Sequence, residues 1–213
     1  SIKFQEGEWN SILKKASKKD KLIFLDCYTS WCGPCKMLSR TVFTNDTVAD
    51  FYNKNFICVK MDMEKGEGPE LAKKYNVAAY PTLLYVNGRG ELVHNVTGYQ
   101  APAKLISEGS TALEGTETLS AYTQRYDNGE RDESFIRKYI DRLSKAYVPK
   151  LQEKVATEFI STFDDDKFYT RDCWQIVVYN ISDPMSPVLK RMFRDRNRFY
   201  QIVAKDSVDM FLD

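Results

Sequence analysis

Cys32 and Cys35, within Trp31-Cys32-Gly33-Pro34-Cys35-Lys36, are two thiols at a spacing that allows reversible closure to a disulfide. The elements around them suit that chemistry. The apolar run Leu22-Ile23-Phe24-Leu25 reads as a buried strand, and Met37, Leu38, Val42 and Phe43 among polar residues predict a helix with one apolar face. A Cys-x-x-Cys between a strand and a helix start is a redox arrangement. Cys32 then sits where unpaired N–H groups and the positive end of the helix dipole favour its thiolate. Cys35 follows one turn later, within reach of Cys32 but shielded from solvent. Pro34 fits the first turn, where its missing N–H has no partner to lose. Two rival uses fit less well. Zinc needs about four ligands, and the chain offers one such cysteine pair and a single histidine, His94, far away in sequence, so no metal is expected. A purely structural disulfide seldom adopts so tight a loop.

Positioning such a pair takes a packed core. A chain of 213 residues, 43% of them hydrophobic and 13% aromatic, is long enough for two domains. The net charge of +1 leaves no basic footprint for nucleic acid, and no apolar run approaches the length that crosses a bilayer. Residues 1–20 are polar and amphipathic and do not read as a leader peptide, and the expectation is that a leader has been removed ahead of Ser1. Of five cysteines, Cys27 and Cys58 fall in expected core strands and Cys173 in the second half, each expected to be a small buried hydrophobe.

Trp9, Ile12, Leu13 and Ala16 have helical spacing, and a polar turn at residues 18–21 leads into the first strand. Asp26 interrupts that strand, either tolerated at its end or set beneath the cysteines, where burial would raise its pKa. Asn45 or Asp46 is expected to cap a helix carrying Val48, Phe51 and Tyr52. Phe56 to Asp62 reads as a buried strand, Glu64 to Glu70 as a loop, and Leu71, Ala72 and Tyr75 as a short helix. A strand over residues 81–86, a turn at Asn87-Gly88-Arg89-Gly90, a returning strand over residues 91–97 ended by Gly98, and a helix over 101–109 complete the first half. His94 is expected on the strand surface. The order of elements is that of an α/β fold, a mixed sheet flanked by helices.

Residues 1 to about 110 resemble the thioredoxin-fold thiol–disulfide oxidoreductases at several separated places. These are Asp26 ahead of Trp31-Cys32-Gly33-Pro34-Cys35-Lys36, Lys60 and Asp62 in the next strand, Tyr80-Pro81-Thr82, and Gly98. Thr41-Val42-Phe43, Asp46, Val48 and Thr97-Gly98-Tyr99 are more similar to exported bacterial relatives and to the periplasmic module of transmembrane thiol reductases. The resemblance implies that Cys32 and Cys35 are catalytic, with Asp26 accepting a proton from the resolving thiol. It implies a cis Tyr80–Pro81 bond facing Cys32, against the alternative of a trans proline opening a strand. It also implies a substrate surface of Trp31, Gly33, Pro34, Tyr80, Pro81 and Gly98. Trp31 is expected to be a partly exposed ring beside the cysteines. Lys36 and Lys60 either support the thiolate or Asp26, or are solvated surface charges.

From Glu114 glycine is scarce and apolar residues fall at helical spacing: Leu119, Tyr122 and Tyr126; Phe135, Tyr139, Leu143 and Ala146; Leu151, Val155, Phe159 and Phe163. The expected division is a thioredoxin-like domain over 1–113 and an all-helical domain over 114–213. The apolar, uncapped run Val208–Leu212 leads to the expectation that the native chain continues past Asp213.

The expected function is reduction or reshuffling of protein disulfides, with the helical domain binding a partner. The alternative is a scaffold in which the redox pair is incidental. No cofactor is expected beyond the Cys32–Cys35 disulfide, and electrons would come from an upstream thiol reductase, since no nucleotide-binding fingerprint is present. Nothing in the sequence fixes an oligomeric state. The expected location is periplasmic or otherwise exported, with the cytoplasm as the alternative.

Overall fold

A computed structural model describes residues 1–213, which divide into two compact units. The first comprises Ser1–Glu130 with Lys145–Tyr147; the second comprises Arg131–Ser144 with Val148–Asp213.

The first unit is built on four strands, β1 (Ile23–Tyr28), β2 (Ile57–Asp62), β3 (Thr82–Val86) and β4 (Leu92–Thr97), in spatial order β2-β1-β3-β4. The β1–β2 pair is parallel, while β1–β3 and β3–β4 are antiparallel. β1 lies between β2 and β3, and helices pack on both faces of the sheet, so its residues are buried on both faces, which is why it reads as a continuous apolar run. The period of two sorts its side chains. Ile23, Leu25 and Cys27 pack with Trp9, Ile12 and Ala16 of α1 (Trp9–Lys19) and Leu71 of α4 (Gly68–Lys74). Phe24 packs on the other face with Leu38, with Tyr52 of α3 (Asp46–Asn55) and with Leu105 of α5 (Pro102–Glu114). Asp26 shares the face of Phe24.

Local signals place the helices. Asn45 caps α3, its side chain accepting from the Val48 N–H at 3.1 Å. Helix α4 starts at Gly68, inside the stretch expected to be loop, because Pro69 suits a first helical turn. Gly109 lets α5 approach α3: a Cβ there would lie 2.7 Å from the Phe51 ring. The expected boundary at 113/114 needs correction, because α6 (Leu119–Asp127) packs on β4 and belongs to the first unit. His94 is the reason. It lies in the core rather than on the surface, and its Nδ1 accepts from the Leu119 N–H at 3.3 Å. That bond assigns the ring proton to Nε2, which donates to Glu108 Oε2 at 2.9 Å.

The second unit is all helix: α7 (Glu133–Lys145), α8 (Pro149–Ser161), α9 (Asp165–Phe168), α10 (Arg171–Asn180), α11 (Pro187–Arg194), α12 (Arg196–Phe199) and α13 (Lys205–Leu212). Asp164, Thr170 and Ser186 cap α9, α10 and α11 with their side-chain oxygens. Its buried residues include Phe135, Tyr139, Val155 and Ile160 and a ring cluster of Phe168, Trp174 and Phe199. No helix in the chain is long and apolar enough to cross a membrane.

Candidate active site

The chain leaves β1 at Tyr28 and turns at once into α2 (Gly33–Met37), which continues as a π-helical turn over Leu38–Val42. Cys32 is the residue capping α2, and Pro34 occupies its first turn. Cys32 and Cys35 are joined by a disulfide, and each is 3% exposed. The Cys35 N–H donates to Cys32 Sγ at 3.1 Å. Sulfur therefore occupies the place that an oxygen takes in an ordinary helix cap. A negative charge on that sulfur would meet an N–H donor and the positive helix end together.

Asp26 lies on the sheet face that the π-helical turn after α2 covers with Leu38 and Val42, 1% exposed, and its carboxylate oxygens accept no hydrogen bond. Burial pushes its pKa from 3.8 up to about 7, against the opposing pull of Lys60. Lys60 is the direct cross-strand neighbour of Asp26, its Nζ 3.8 Å from Oδ2. The same ammonium donates to Ser39 Oγ at 2.6 Å and lies 4.7 Å from the centre of the Tyr28 ring. A cavity of about 200 Å³ lined by Thr29, Ser30, Cys35, Lys36, Ser39 and Lys60 opens on the inner cysteine. Lys60 thus belongs with Asp26, whereas Lys36 is exposed at the cavity mouth.

On the outer side the Trp31 ring is 64% exposed; its Nε1–H donates to both Glu64 oxygens, at 3.0 and 3.1 Å. Tyr80 packs edge-on against it, with ring centres 6.0 Å apart. The Tyr80–Pro81 peptide is cis, and the Gly98 N–H donates to the Pro81 carbonyl at 2.8 Å. Gly98 has φ 91°, a left-handed conformation that glycine adopts without penalty. Neither the Tyr80 N–H nor its C=O is taken up by a backbone partner. Trp31, Tyr80, Pro81 and Gly98 are thus linked by contacts, and Gly33 and Pro34 are exposed at the start of α2.

Sequence reasoning missed Ser39, Thr29 and Glu64. Thr29 and Ser39 lie within four residues of the cysteines, and the Thr29 carbonyl accepts from the Cys32 N–H at 3.2 Å, whereas Glu64 meets the site through tertiary packing, 33 residues from Trp31. The other cysteines are chemically different from the pair. Burial pushes the thiols of Cys58 and Cys173 up to about 12 and lifts that of Cys27 well above its ordinary value, so all three stay protonated at neutral pH.

The family model described as Thioredoxin matches residues 1–109. A thioredoxin of Echinococcus granulosus is 38% identical over 89 residues, which are 42% of this chain and 78% of that one. Thioredoxin H2 of Arabidopsis thaliana is 33% identical over 98 residues, 46% of this chain and 68% of its own. Among solved structures, a protein of Bacteroides thetaiotaomicron described as a candidate disulphide-isomerase is 49% identical. That likeness covers 54% of this chain and 94% of the other, with a TM-score of 0.49.

Proposed function

Because this chain belongs to the thioredoxin family and is a protein-disulfide oxidoreductase, we propose that it works as a reductase of protein disulfides, with reshuffling as its secondary activity. One observation carries the reading: a buried carboxylate without a hydrogen-bond partner, its pKa near neutrality, on the strand that runs into a disulfide at a helix start, its ion-pair partner Lys60 lining the cavity at Cys35.

In the reduced chain, the Cys32 thiolate attacks one sulfur of a substrate disulfide. The substrate S–S bond breaks, a Cys32–substrate disulfide forms, and the first substrate sulfur leaves and takes a proton. Cys35 then passes its proton to Asp26 and attacks Cys32 Sγ. The mixed disulfide breaks, the second substrate sulfur leaves and is protonated, and the chain ends in the Cys32–Cys35 disulfide seen here. Two electrons have moved from chain to substrate, and a dithiol reductase must return them. A pKa of about 7 lets Asp26 both take and release the proton at neutral pH. The free Tyr80 backbone groups are placed to pair with an extended substrate segment.

The second unit is assigned partner binding, supported by Tyr179, Met185, Phe193 and Met210, large apolar side chains left in solvent. The proposed location is periplasmic or otherwise exported, supported by the sequence features around Thr41–Phe43 and Thr97–Tyr99.

Insulin reduction tests the reading: wild type turns over and Cys32→Ser does not. Cys35→Ser is expected to accumulate mixed disulfides with its substrates. Equal insulin turnover by wild type and Cys32→Ser would leave a scaffold role instead.

A further inference from the structure

Tyr147 lies outside the residues matched by the family, yet contacts tie its neighbour to the end of β4, next to the Gly98–Pro81 bond. The Ala146 carbonyl accepts from Asn95 Nδ2 at 3.1 Å and from Thr97 Oγ1 at 3.4 Å. Thr97 Oγ1 is itself 3.0 Å from Thr82 Oγ1, and the next residue, Gly98, bonds to Pro81. Residue 146 is therefore two hydrogen bonds from the residue that follows Pro81.

Tyr147 has φ 55°, in the region that favours glycine, and its side chain is 52% exposed. A large side chain there strains the backbone, and burial does not account for it. Trp31, at 64%, and Tyr99, at 41%, are the other exposed aromatic rings close in sequence to Cys32 and Gly98.

We propose that Tyr147 forms a substrate subsite whose ring takes an apolar or aromatic side chain of the disulfide-bearing segment. This rests on the reading above, in which that segment lies extended along Tyr80–Pro81 and Gly98. The two hydrogen bonds and the step to residue 147 span at most about 10 Å from Thr82, and an extended chain advances about 3.3 Å per residue, which puts the recognised side chain about three residues from the stretch that pairs at Tyr80–Pro81 and carries the attacked cysteine. The recognised chemistry is a cystine-containing segment with a Leu, Met or aromatic residue at that distance.

The test compares kcat/KM for two peptide disulfides, with Leu or Ser at the third residue from cysteine, each divided by kcat/KM for hydroxyethyl disulfide. Tyr147→Gly accepts the backbone conformation and removes only the side chain. It is expected to lower the ratio for the Leu peptide about three- to tenfold, through KM, and to spare that for the Ser peptide. Tyr147→Phe is expected to stay near wild type, and Asn95→Ala, which loosens the Ala146 anchor, to fall in between. An unchanged Leu ratio in Tyr147→Gly, an equal drop for both peptides, or a Tyr147→Phe as impaired as the glycine variant would each overturn the subsite. The reductase reading survives all three outcomes so long as Cys32→Ser is inactive; a Cys32→Ser as fast as wild type removes both.

Discussion

The sheet-containing unit buries Asp26, His94 and Glu108, whereas Ser186, a helix cap, is the sole buried polar residue of the helical unit. Both units have apolar cores rich in aromatic rings, so the difference lies in where charge is allowed. In the helical unit the arginines stay at the surface and lie over rings: Arg191 stacks 3.8 Å from the centre of Phe168 and Arg198 3.4 Å from that of Tyr169, with Asp165 bonded to both. Such contacts stabilise without demanding desolvation. The sheet unit treats its buried charges in two ways. Glu108 is matched: burial would raise its pKa, but hydrogen bonds from His94 and Lys104 outweigh that and hold it at about 2. Asp26 has no hydrogen-bond partner, and only Lys60, at 3.8 Å, offsets its burial. A matched buried charge orders the fold, while an unmatched one destabilises it and remains available for proton transfer.

The largest expected effect comes from removing the unmatched charge. Between about pH 4 and 7 the unfolded chain has lost the Asp26 proton while the folded chain keeps it, so this residue lowers stability as pH rises through that window and its effect levels off above. Carried from 3.8 to about 7, the shift corresponds to about 4 kcal/mol. Asp26→Asn is therefore expected to unfold at higher urea than wild type at pH 8 by up to that amount, and at nearly the same urea at pH 4. The same variant is expected to resolve mixed disulfides on the order of a hundredfold more slowly at neutral pH. A stability gain equal at both pH values would remove Asp26 from the class of unmatched charges.

Disturbing the matched charge sharpens the contrast in the other direction. His94→Ala leaves Glu108 without the donor at its Oε2 and opens a cavity beside Tyr85, whose ring stacks on the imidazole at 5.6 Å. The expected loss is about 3 kcal/mol, with faster hydrogen exchange at the Leu119 N–H. His94→Gln, which can still donate, is expected to recover part of it. No loss in His94→Ala would mean that the pair contributes nothing to docking α6.

The smallest effect belongs to the helical unit. Arg191→Ala removes a stacked, partly exposed cation and is expected to cost about 1 kcal/mol. Its carboxylate partner Asp165 and the neighbouring Asp195 are held below their usual range, chiefly by hydrogen bonds from Arg198 and Arg194 respectively. They therefore favour the folded state above pH 4 and lose that effect as the solution is acidified, the opposite sense to Asp26. A loss of more than 3 kcal/mol in Arg191→Ala would place this cation within the core and erase the distinction between the units.

Much of the first unit was legible in the sequence because its signals are local. The strand-to-helix passage at Cys32, the proline in the first turn, the Asn45 cap and the hairpin at Asn87–Gly90 each depend on residues within a few positions of one another. The amphipathic spacing of the second half likewise announced helices. What the sequence left open were matters of long-range packing. Asp26 in an apolar strand was compatible with a tolerated strand end or a buried acid, and only the covering of that sheet face by the π-helical turn after α2, by α3 and by α5 removed its water. His94 looked like the outward residue of an alternating strand, but Glu108 and Leu119, which decide its burial, lie 14 and 25 residues away. For the same reason the first unit runs on through α6 rather than ending near residue 113. Hydrogen-bonding capacity and periodicity are properties of a few adjacent residues, whereas solvent exclusion is a property of everything that packs around them.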